Sequence, residues 1–515
     1  MFGGLTKTSS RIAIAAALGL TFGGYAMSTP ANAADLGGDC CADLEERVAE
    51  LEATTVRKGN KKVSVTVSGW VVKLGSWWDD GSENNFYVGD KDTTLSSHFQ
   101  ISGSATIAPG WSGGYTISIE APGTSASVGF AENQFNDNVA TFGVINTLLS
   151  YMWVKSDKYG ALNWGQLSQA TDNVALLPDL SGTIIEANAV IFDGAGMFLR
   201  AKGAPGADGL ATAVGAGQTW GAAVTCISAG GGVAADCAGY PYNGIRYDSP
   251  TFGGFSVSGG YYEDDVFDVA VKYAADFNSF KVSAAFGWTH VLDEGCAAPG
   301  PGCFGAVFGG GGGAPFQSAR REVDILQVGA SAMHVPSGLF IYGLWQQEDN
   351  SGNQLGAAVP GGGVFGATVS STAQNKNEVW YLKGGIKRTW NPLGATVLFG
   401  EYGEYQDQYA GLCTGGLNNN NGVALGACGA VFQVGPTGGA ASFVGGNITG
   451  STVTRYGIGA VQEIDSAAMH LFARWQHLDM DISGTFVNLQ DVNTRVGAPS
   501  FEDLEIFQVG GVIFF

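Results

Sequence analysis

Charged residues, and basic ones above all, are scarce in this 515-residue chain. Only 14% of the residues are charged, and 25 Lys and Arg stand against 46 Asp and Glu. A protein that binds nucleic acid needs a basic surface to neutralise phosphates, so this composition excludes nucleic acid as a partner. Histidine is equally rare, with five scattered copies, and no HExxH, CxxC or P-loop pattern occurs. The sequence therefore predicts neither a metal site nor a cofactor.

One catalytic pattern is present, but it lacks the context that catalysis needs. Residues Gly110 to Gly114, GWSGG, match the GxSxG pattern of serine hydrolases. That pattern works only where a strand turns sharply into a helix and presents the serine. Here Ser112 falls in a turn between two predicted strands, so we expect no enzyme.

Long hydrophobic runs are also missing, except at the N-terminus. Residues 12–27 are apolar, follow Lys7 and Arg11, and precede a small-x-small cleavage pattern that ends at Ala33. This arrangement predicts a secretory signal peptide over 1–33, with a non-cleaved membrane anchor as the alternative. No later stretch approaches the roughly 18 apolar residues of a spanning helix. The chain therefore leaves the cytoplasm and is either a large soluble β protein or a transmembrane barrel.

Residues 34–61 differ in composition from the rest of the chain and predict a periplasmic helical leader. Leu44, Val48 and Leu51 have the spacing of a short coiled-coil seam. Two heptads are too few to associate alone. Either the segment is a lone amphipathic helix, or an oligomeric barrel beneath it holds the seam together.

From Lys62 onward the main signal is apolar–polar alternation with a period of two, in segments of about ten residues. Gly, Pro, Asn and Asp residues separate the segments. We count sixteen predicted strands, at roughly 62–77, 97–108, 113–121, 146–157, 160–168, 242–249, 253–262, 266–276, 279–290, 322–334, 337–347, 377–388, 393–405, 451–462, 467–478 and 502–515.

The connections between these strands alternate between short and long. The four longest run over about 169–241, 291–321, 348–376 and 406–450. Short turns on one side and long loops on the other are typical of a barrel threaded across a bilayer. An even strand number also lets the first and last strands pair, which leaves no open edge in lipid. We therefore predict an all-β, 16-stranded antiparallel transmembrane β-barrel over 62–515.

The longest connection, about 169–241, is too long for an ordinary loop and is apolar enough to fold back on a wall. Because large barrels have polar interiors, we expect its acids to face basic residues of the inner wall and to form a narrow charged aperture. The alternative is a cap outside the barrel. The predicted acids are Asp172, Asp179, Glu186 and Asp193, and the predicted basic wall residues are Arg246, Lys272, Lys281, Lys383, Lys387, Arg455 and Arg474.

Six of the eight cysteines form local couples within long loops on one side of the predicted barrel. A chain that carries a signal peptide meets an oxidising compartment, so disulfides are expected in these couples. Free thiols or a metal site are the alternatives. Adjacent Cys40 and Cys41 precede the leader, where an interchain link is a further alternative. The couples are Cys226 with Cys237, Cys296 with Cys303, and Cys413 with Cys428.

Four stretches resemble the general porins of Gram-negative outer membranes, and more narrowly the rhizobial group of alphaproteobacterial porins. They are the leader over 43–64, the GW…WWDDG strand over 69–81, WGQLSQATDNVALLPDLSGT over 164–183, and YDSPTFGGFSVSGGYYEDDVFDVAVKYA over 247–274. The resemblance covers essentially the whole mature chain. The Gly-rich loops around 291–321 and 406–450 depart from it.

This resemblance implies a homotrimer in the outer membrane, in contact with membrane lipid and lipopolysaccharide. It implies that the third long loop forms a constriction and that ions and small hydrophilic solutes diffuse passively through a water-filled channel. The terminal Phe515 is similar to the family's signal for the barrel-assembly machinery. Two alternatives stay open: a solute-specific channel, in which Trp220 or Tyr242 would form a binding track, and a structural or adhesive barrel tethered by the leader.

Overall fold

The computed structural model of this chain describes residues 62–91, 95–120, 134, 146–190, 193–202, 219–224, 226, 234–239, 241–263, 265–293, 321–349, 376–408, 429–433, 443–488, 495–498 and 500–515. The predicted signal peptide and the predicted helical leader lie outside these residues, as do Cys40 and Cys41. Within the described part of the chain, no helix is long and apolar enough to span a bilayer.

Within the described residues, sixteen long strands form the wall, because the segments that carry the period-two alternation all adopt extended backbone. We number these strands in chain order. They are β1 Ser64–Asp79, β2 His98–Ala108, β3 Trp111–Glu120, β4 Asn146–Ser156, β5 Gly160–Leu167, β6 Tyr242–Asp248, β7 Phe255–Tyr262, β8 Val266–Phe277, β9 Phe280–Asp293, β10 Arg321–His334, β11 Leu339–Asp349, β12 Lys376–Asn391, β13 Gly394–Gln406, β14 Phe443–Ile464, β15 Met469–Asn488 and β16 Leu504–Phe514.

The sheet closes on itself, since each strand pairs antiparallel with the next and β16 pairs with β1. The closing register runs from Trp70 opposite Phe514 to Asp79 opposite Glu505. Closure removes the open edges that a flat sheet would expose. The predicted 16-stranded antiparallel barrel is confirmed. Three short strands lengthen the wall beside β1, β14 and β15: Asn84–Gly89, Gly429–Gln433 and Arg495–Val496.

Alternate side chains of each strand face opposite sides of the wall, and the outer side is apolar. On β11, Leu339 and Ile341 point outward and are 57% and 54% exposed, whereas Phe340 and Tyr342 point inward and are buried. The last strand behaves in the same way, with Phe507, Val509, Ile513 and Phe515 exposed on the outside. A continuous exposed apolar surface is unfavourable in water and suits hydrocarbon.

Tryptophans line the outer face toward the long-loop ends of β9 to β16, and each donates its indole N–H to a carboxylate on a neighbouring strand. We call this row the indole belt. Indole rings combine an apolar body with a polar N–H group, which favours the boundary between lipid tails and water. The pairs are Trp288 with Asp324 (3.0 Å), Trp345 with Glu378 (2.7 Å), Trp380 with Glu404 (3.3 Å) and Trp475 with Glu505 (2.6 Å).

Candidate functional site

The connection between β5 and β6 spans residues 168–241, and its described residues lie against the inner wall. We call these described residues the inner loop. Tyr342 on β11 donates its hydroxyl to the carbonyl oxygen of Ala175 at 2.7 Å. Two strands farther along the wall, Tyr405 on β13 donates to the carbonyl oxygen of Ala189 at 2.8 Å. The loop backbone therefore follows the inside of the barrel from one strand to the next.

The loop begins with contacts to β7, β8 and β9. Ala170 donates its amide to the hydroxyl of Tyr262 at 2.9 Å, and Asp268 accepts both the amide and the hydroxyl of Thr171, at 2.8 and 3.0 Å. On β9 a glycine allows the close approach, because a Cβ at Gly287 would lie 2.6 Å from a loop side chain. A substituted residue there would push the loop away from the wall.

Asp179 lies beside Lys383 on β12, one of the predicted basic wall residues. The Lys383 ammonium is 2.6 Å from the Asp179 carboxylate, and both side chains are almost completely buried. The same ammonium donates to the hydroxyl of Thr183 at 3.0 Å and to the carbonyl oxygen of Ala187 at 2.7 Å. Lys383 therefore binds three points of the inner loop at once.

Glu186 and Asp193 both contact β15. Glu186 is 2.6 Å from the Nδ1 atom of His470. Asp193 forms ion pairs with Arg474, also on β15, and with Lys91 at 2.8 Å. Arg474 donates a second hydrogen bond, to the carbonyl oxygen of Glu186 at 2.8 Å. Two predicted acids and one predicted basic residue therefore meet in one buried network.

The charges of this network control the pKa values of its loop residues. Burial would raise the pKa of Glu186, but the charge and hydrogen bond of His470, together with a backbone hydrogen bond and the charge of Lys91, hold that pKa below its ordinary value. Burial acts in the same direction on Asp193, where the charges of Lys91 and Arg474 outweigh it and lower the pKa. Burial lowers the pKa of Lys91 to about 8, and the charge of Arg474 adds to that effect. Both carboxylates are therefore ionised at neutral pH.

Arg455 on β14 holds the next part of the inner loop. Its guanidinium donates to the carbonyl oxygen of Asn188 at 2.6 Å and lies 3.7 Å from the Glu401 carboxylate. The guanidinium carbon also lies over the rings of Tyr381 and Tyr405, at 5.3 and 5.7 Å from their centroids. These contacts fix the planar cation in one orientation.

The other predicted basic residues also have inward parity, but they differ in what they touch. Arg246 donates to the carbonyl oxygen of Ser168 at 2.7 Å and is buried. Lys387 donates to the carbonyl oxygen of Ser181 at 3.2 Å. Lys272 lies beside Arg246 and its neighbouring acids. Lys281 lies at the short-turn end of β9 and is exposed, so it lies apart from the inner loop.

The fourth predicted acid, Asp172, is not with the other three. It lies near the start of the inner loop, where Asn173 donates its side-chain amide to Asp172 at 2.7 Å and its backbone amide to Asp236, close to the end of the same loop, at 3.2 Å. Two aromatic residues belong to the alternative of a solute-binding track. Trp220 is buried within the inner loop, and Tyr242 on β6 is partly buried, with its ring 6.4 Å from the ring of Tyr262.

Several contacts of the inner loop were missed by sequence reasoning. Arg200 pairs with Asp80 at 2.7 Å and with Glu83 at 2.8 Å, which ties the loop to the connection after β1. His470 and Lys91, described above, were also missed. The inward parity of His470 on its strand was the available signal, whereas Lys91 and Arg200 lie in connections, where no periodicity marks them.

Cys226 and Cys237 of the inner loop form a disulfide, one of the three couples proposed from the sequence. The amide of Cys237 donates to the side chain of Gln346 on β11 at 3.1 Å, so the bond lies against the wall. Glu348 is close to both sulfurs, but the sulfurs are bonded to each other. The other two couples, Cys296 with Cys303 and Cys413 with Cys428, lie outside the described residues.

The GxSxG serine lies in a plain hairpin. Ser112 is the second residue of β3, opposite Thr106 on β2, and strand rather than helix follows it. The described residues of this region therefore form no nucleophile elbow.

No protein-family model matches the chain, and comparison with curated proteins gives no match. Among solved structures, the anion-selective porin from Comamonas acidovorans is 16% identical, with 88% of this chain and 100% of that chain covered and a TM-score of 0.49. The outer membrane channel DcaP of Acinetobacter baumannii is 9% identical, with 89% and 99% covered and a TM-score of 0.44. OmpF of Salmonella typhi is 12% identical, with the same coverage and a TM-score of 0.41. At such low similarity, function has to be inferred from this chain's own residues.

Proposed function

We propose that this protein is a porin, a non-enzymatic outer-membrane channel through which ions and small hydrophilic solutes diffuse passively. The observation that carries the proposal is the inner loop, whose carboxylates pair with cations of the inner wall of a closed barrel with an apolar outside. A barrel of sixteen strands is wide enough to leave an aqueous channel. A loop fixed inside such a barrel narrows the channel but does not close it.

The constriction in this proposal comprises the inner loop and the wall cations that hold it. Asp179, Glu186 and Asp193 are buried with their partners, and these pairs place opposite charges where the inner loop meets the wall. Fixed charges at a narrow level select solutes by size and charge. Asp172 lies near the start of the inner loop, and Lys281 lies at the short-turn end of β9, so neither residue is part of this constriction.

The finer assignments of the sequence analysis are part of the same proposal. We infer a homotrimer of the alphaproteobacterial, rhizobial type, in contact with outer-membrane lipid and lipopolysaccharide. Residues 1–33 serve as the signal peptide, 34–61 as the periplasmic helical leader and 62–515 as the barrel. Phe515 serves as the signal to the barrel-assembly machinery, and its exposed ring at the end of the last strand is accessible for that role.

Single-channel recording in planar bilayers tests this function. We expect a stepwise current that rises linearly with salt concentration. The reversal potential under a salt gradient should shift when Asp179→Asn and Glu186→Gln are combined, because each change removes a negative charge beside the wall. Asp157→Asn, in an exposed turn, is the matched control and should leave the potential unchanged.

The same recordings separate the alternatives. A current that saturates and is blocked by one sugar or phosphate would favour a solute-specific channel. Absence of any conductance would overturn the channel and favour a structural or adhesive barrel. A reversal potential that does not move in the double variant would remove the constriction residues from the proposal.

A further inference from the structure

The hydrogen-bond ladder along one edge of β1 is interrupted near the middle of the strand. On this edge the first half of β1 pairs with β2, and the second half pairs with the short strand Asn84–Gly89. Between the two pairings, Val72 has no strand partner on this edge among the described residues. The hydroxyl of Ser97 takes that place, since it accepts the Val72 amide at 3.0 Å and lies 3.2 Å from the Val72 carbonyl oxygen. Side chains therefore close the wall at this point.

An ion pair lies beside this interruption. Lys73 on β1 points outward with its side chain 51% exposed, and its ammonium is 2.7 Å from the fully buried carboxylate of Asp90. Along the wall, Lys73 lies opposite Gly511, midway between the exposed rings of Phe507 and Phe515 on β16. A cation on the lipid-facing side of a barrel is destabilising near the middle of the bilayer. The Asp90 carboxylate therefore supplies the counter-charge that Lys73 needs at this position.

The next residue in the chain, Lys91, contacts the inner loop instead. Its ammonium is fully buried, lies 2.8 Å from the Asp193 carboxylate and donates to the carbonyl oxygen of Glu186 at 3.2 Å. It also lies over the ring of Phe472 on β15, at 5.5 Å from the ring centroid. Two adjacent residues, Asp90 and Lys91, therefore connect an outward-facing cation to a carboxylate of the constriction.

The contacts of Asp90 fix the backbone from which Lys91 extends. Its Oδ2 atom binds Lys73, whereas its Oδ1 atom accepts the backbone amide of Lys91 at 2.9 Å and lies 3.1 Å from the Ser97 hydroxyl. A buried carboxylate needs a compensating cation. Without Lys73, the Asp90 carboxylate keeps its hydrogen bonds but loses its cation, and the ammonium of the adjacent Lys91 can replace it. That replacement takes the ammonium away from Asp193.

We propose that Lys73, Asp90, Lys91 and Asp193 form a through-wall link, in which a cation on the outer face of the barrel sets the position of a cation at the constriction. Lys91 is the residue of the link that determines ion preference, and Lys73 and Asp90 are positioning residues that act through it. The proposal rests on the channel function inferred above, because permeating ions would sense only the inner end of the link. A residue that faces away from the lumen thereby influences which ions pass.

Reversal potentials under a salt gradient test the role of the through-wall link. Lys73→Met should shift the potential toward cation preference, in the same direction as Lys91→Met and by no more than that variant, because Asp193 loses a cation in both. Lys73→Arg keeps the positive charge and should rescue the potential of the wild type. Lys376→Met is the matched control and should cause no shift, since Lys376 is also outward-facing, 55% exposed and 2.7 Å from an aspartate, Asp349, but contacts no inner-loop residue among those described.

Two double variants separate positioning from a direct effect of the outer charge. If Lys73 acts through Lys91, Lys73→Met adds no further shift to Lys91→Met. An equal shift with and without Lys91 would mean that the outer charge acts through space, and it would overturn the link. Adding Asp90→Asn to Lys73→Met removes the carboxylate that competes for Lys91, so the potential should return to that of the wild type. A potential that stays shifted in this second double variant would also overturn the link.

Thermal unfolding of the full chain in detergent gives a readout that does not depend on conduction. Lys73→Met should lower the unfolding midpoint less in the Asp193→Asn background than in the wild type, because Lys91 then has no inner ion pair to lose. Lys376→Met should lower the midpoint equally in both backgrounds. Additive effects of Lys73→Met and Asp193→Asn would overturn the link even if the channel conducts. A chain that conducts no current overturns the channel instead, while the unfolding comparison still decides the link.

Discussion

Removal of the Lys383 ammonium should release the middle of the inner loop. This cation is fully buried and holds Asp179, Thr183 and Ala187 at 2.6 to 3.0 Å. In Lys383→Met the apolar stem of the side chain is largely kept, but the Asp179 carboxylate stays buried without its counter-charge. The loop then has to leave the wall so that this carboxylate can reach water.

The size of the effect follows from the burial of both partners. Breaking a buried ion pair by removing one partner costs about 3–5 kcal/mol. Since about 1.4 kcal/mol is a factor of ten, the ratio of docked to undocked loop should fall by roughly two to four orders of magnitude. An exposed ion pair is worth about 0–1 kcal/mol. Lys376 on β12 and Asp349 on β11 form such a bridge, in which the Lys376 side chain is 55% exposed.

Lys376→Met is therefore the matched control for Lys383→Met. Hydrogen–deuterium exchange over residues 179–188 should rise by about the predicted factor in Lys383→Met and should hardly change in Lys376→Met. The open-channel current should rise only in the first variant. Adding Asp179→Leu to Lys383→Met removes the unpaired carboxylate, so the loop should again lie mostly against the wall.

Two results would refute this reasoning. Equal exchange in Lys383→Met and Lys376→Met would mean that the buried pair does not hold the loop. A double variant as loose as Lys383→Met alone would mean that the loss comes from altered packing and not from the uncompensated charge.

Three further predictions concern close packing, the disulfide and the indole belt. A Cβ at Gly329 would collide with a loop carbonyl oxygen, so Gly329→Ala should displace the loop and change the current. Gly343→Ala is the control and should leave the current unchanged, because its Cβ meets nothing nearer than 3.8 Å. Replacing Cys226 and Cys237 by serine should lower local stability by about 3 kcal/mol and expose the inner loop to limited proteolysis, with an unchanged cleavage pattern refuting this. Trp475→Phe leaves a carboxylate without its indole donor. It should lower the free energy of unfolding by about 1 kcal/mol, which a lower midpoint of thermal unfolding in lipid vesicles would report.

The strands and the faces of the wall could be predicted from the sequence because they depend on neighbours along the chain. Alternation fixes which side chains share a face. Lys383 and Arg474 could therefore be placed inside the barrel from parity alone, since a cation is costly toward lipid. The same argument placed Phe507 and Phe515 on the outside.

Partners within the barrel could not be predicted in this way. His470 meets a carboxylate 284 positions earlier in the chain, and Arg455 meets a loop carbonyl 267 positions earlier. No periodicity connects such distant residues. Asp172 shows the same limit, because sequence reasoning grouped it with the other loop acids, whereas in the fold Asn173 bonds to both Asp172 and Asp236, near the two ends of the loop.

By itself, the sequence determined a closed all-β wall with an apolar outside, cations on the inside and one connection too long to be an ordinary turn. Only the tertiary structure decided which carboxylate of that connection meets which cation and where the two ends of the loop join. The physical reason is that strand alternation is a local steric property, whereas ion pairs and hydrogen bonds between distant residues depend on distances that exist only after the barrel has closed.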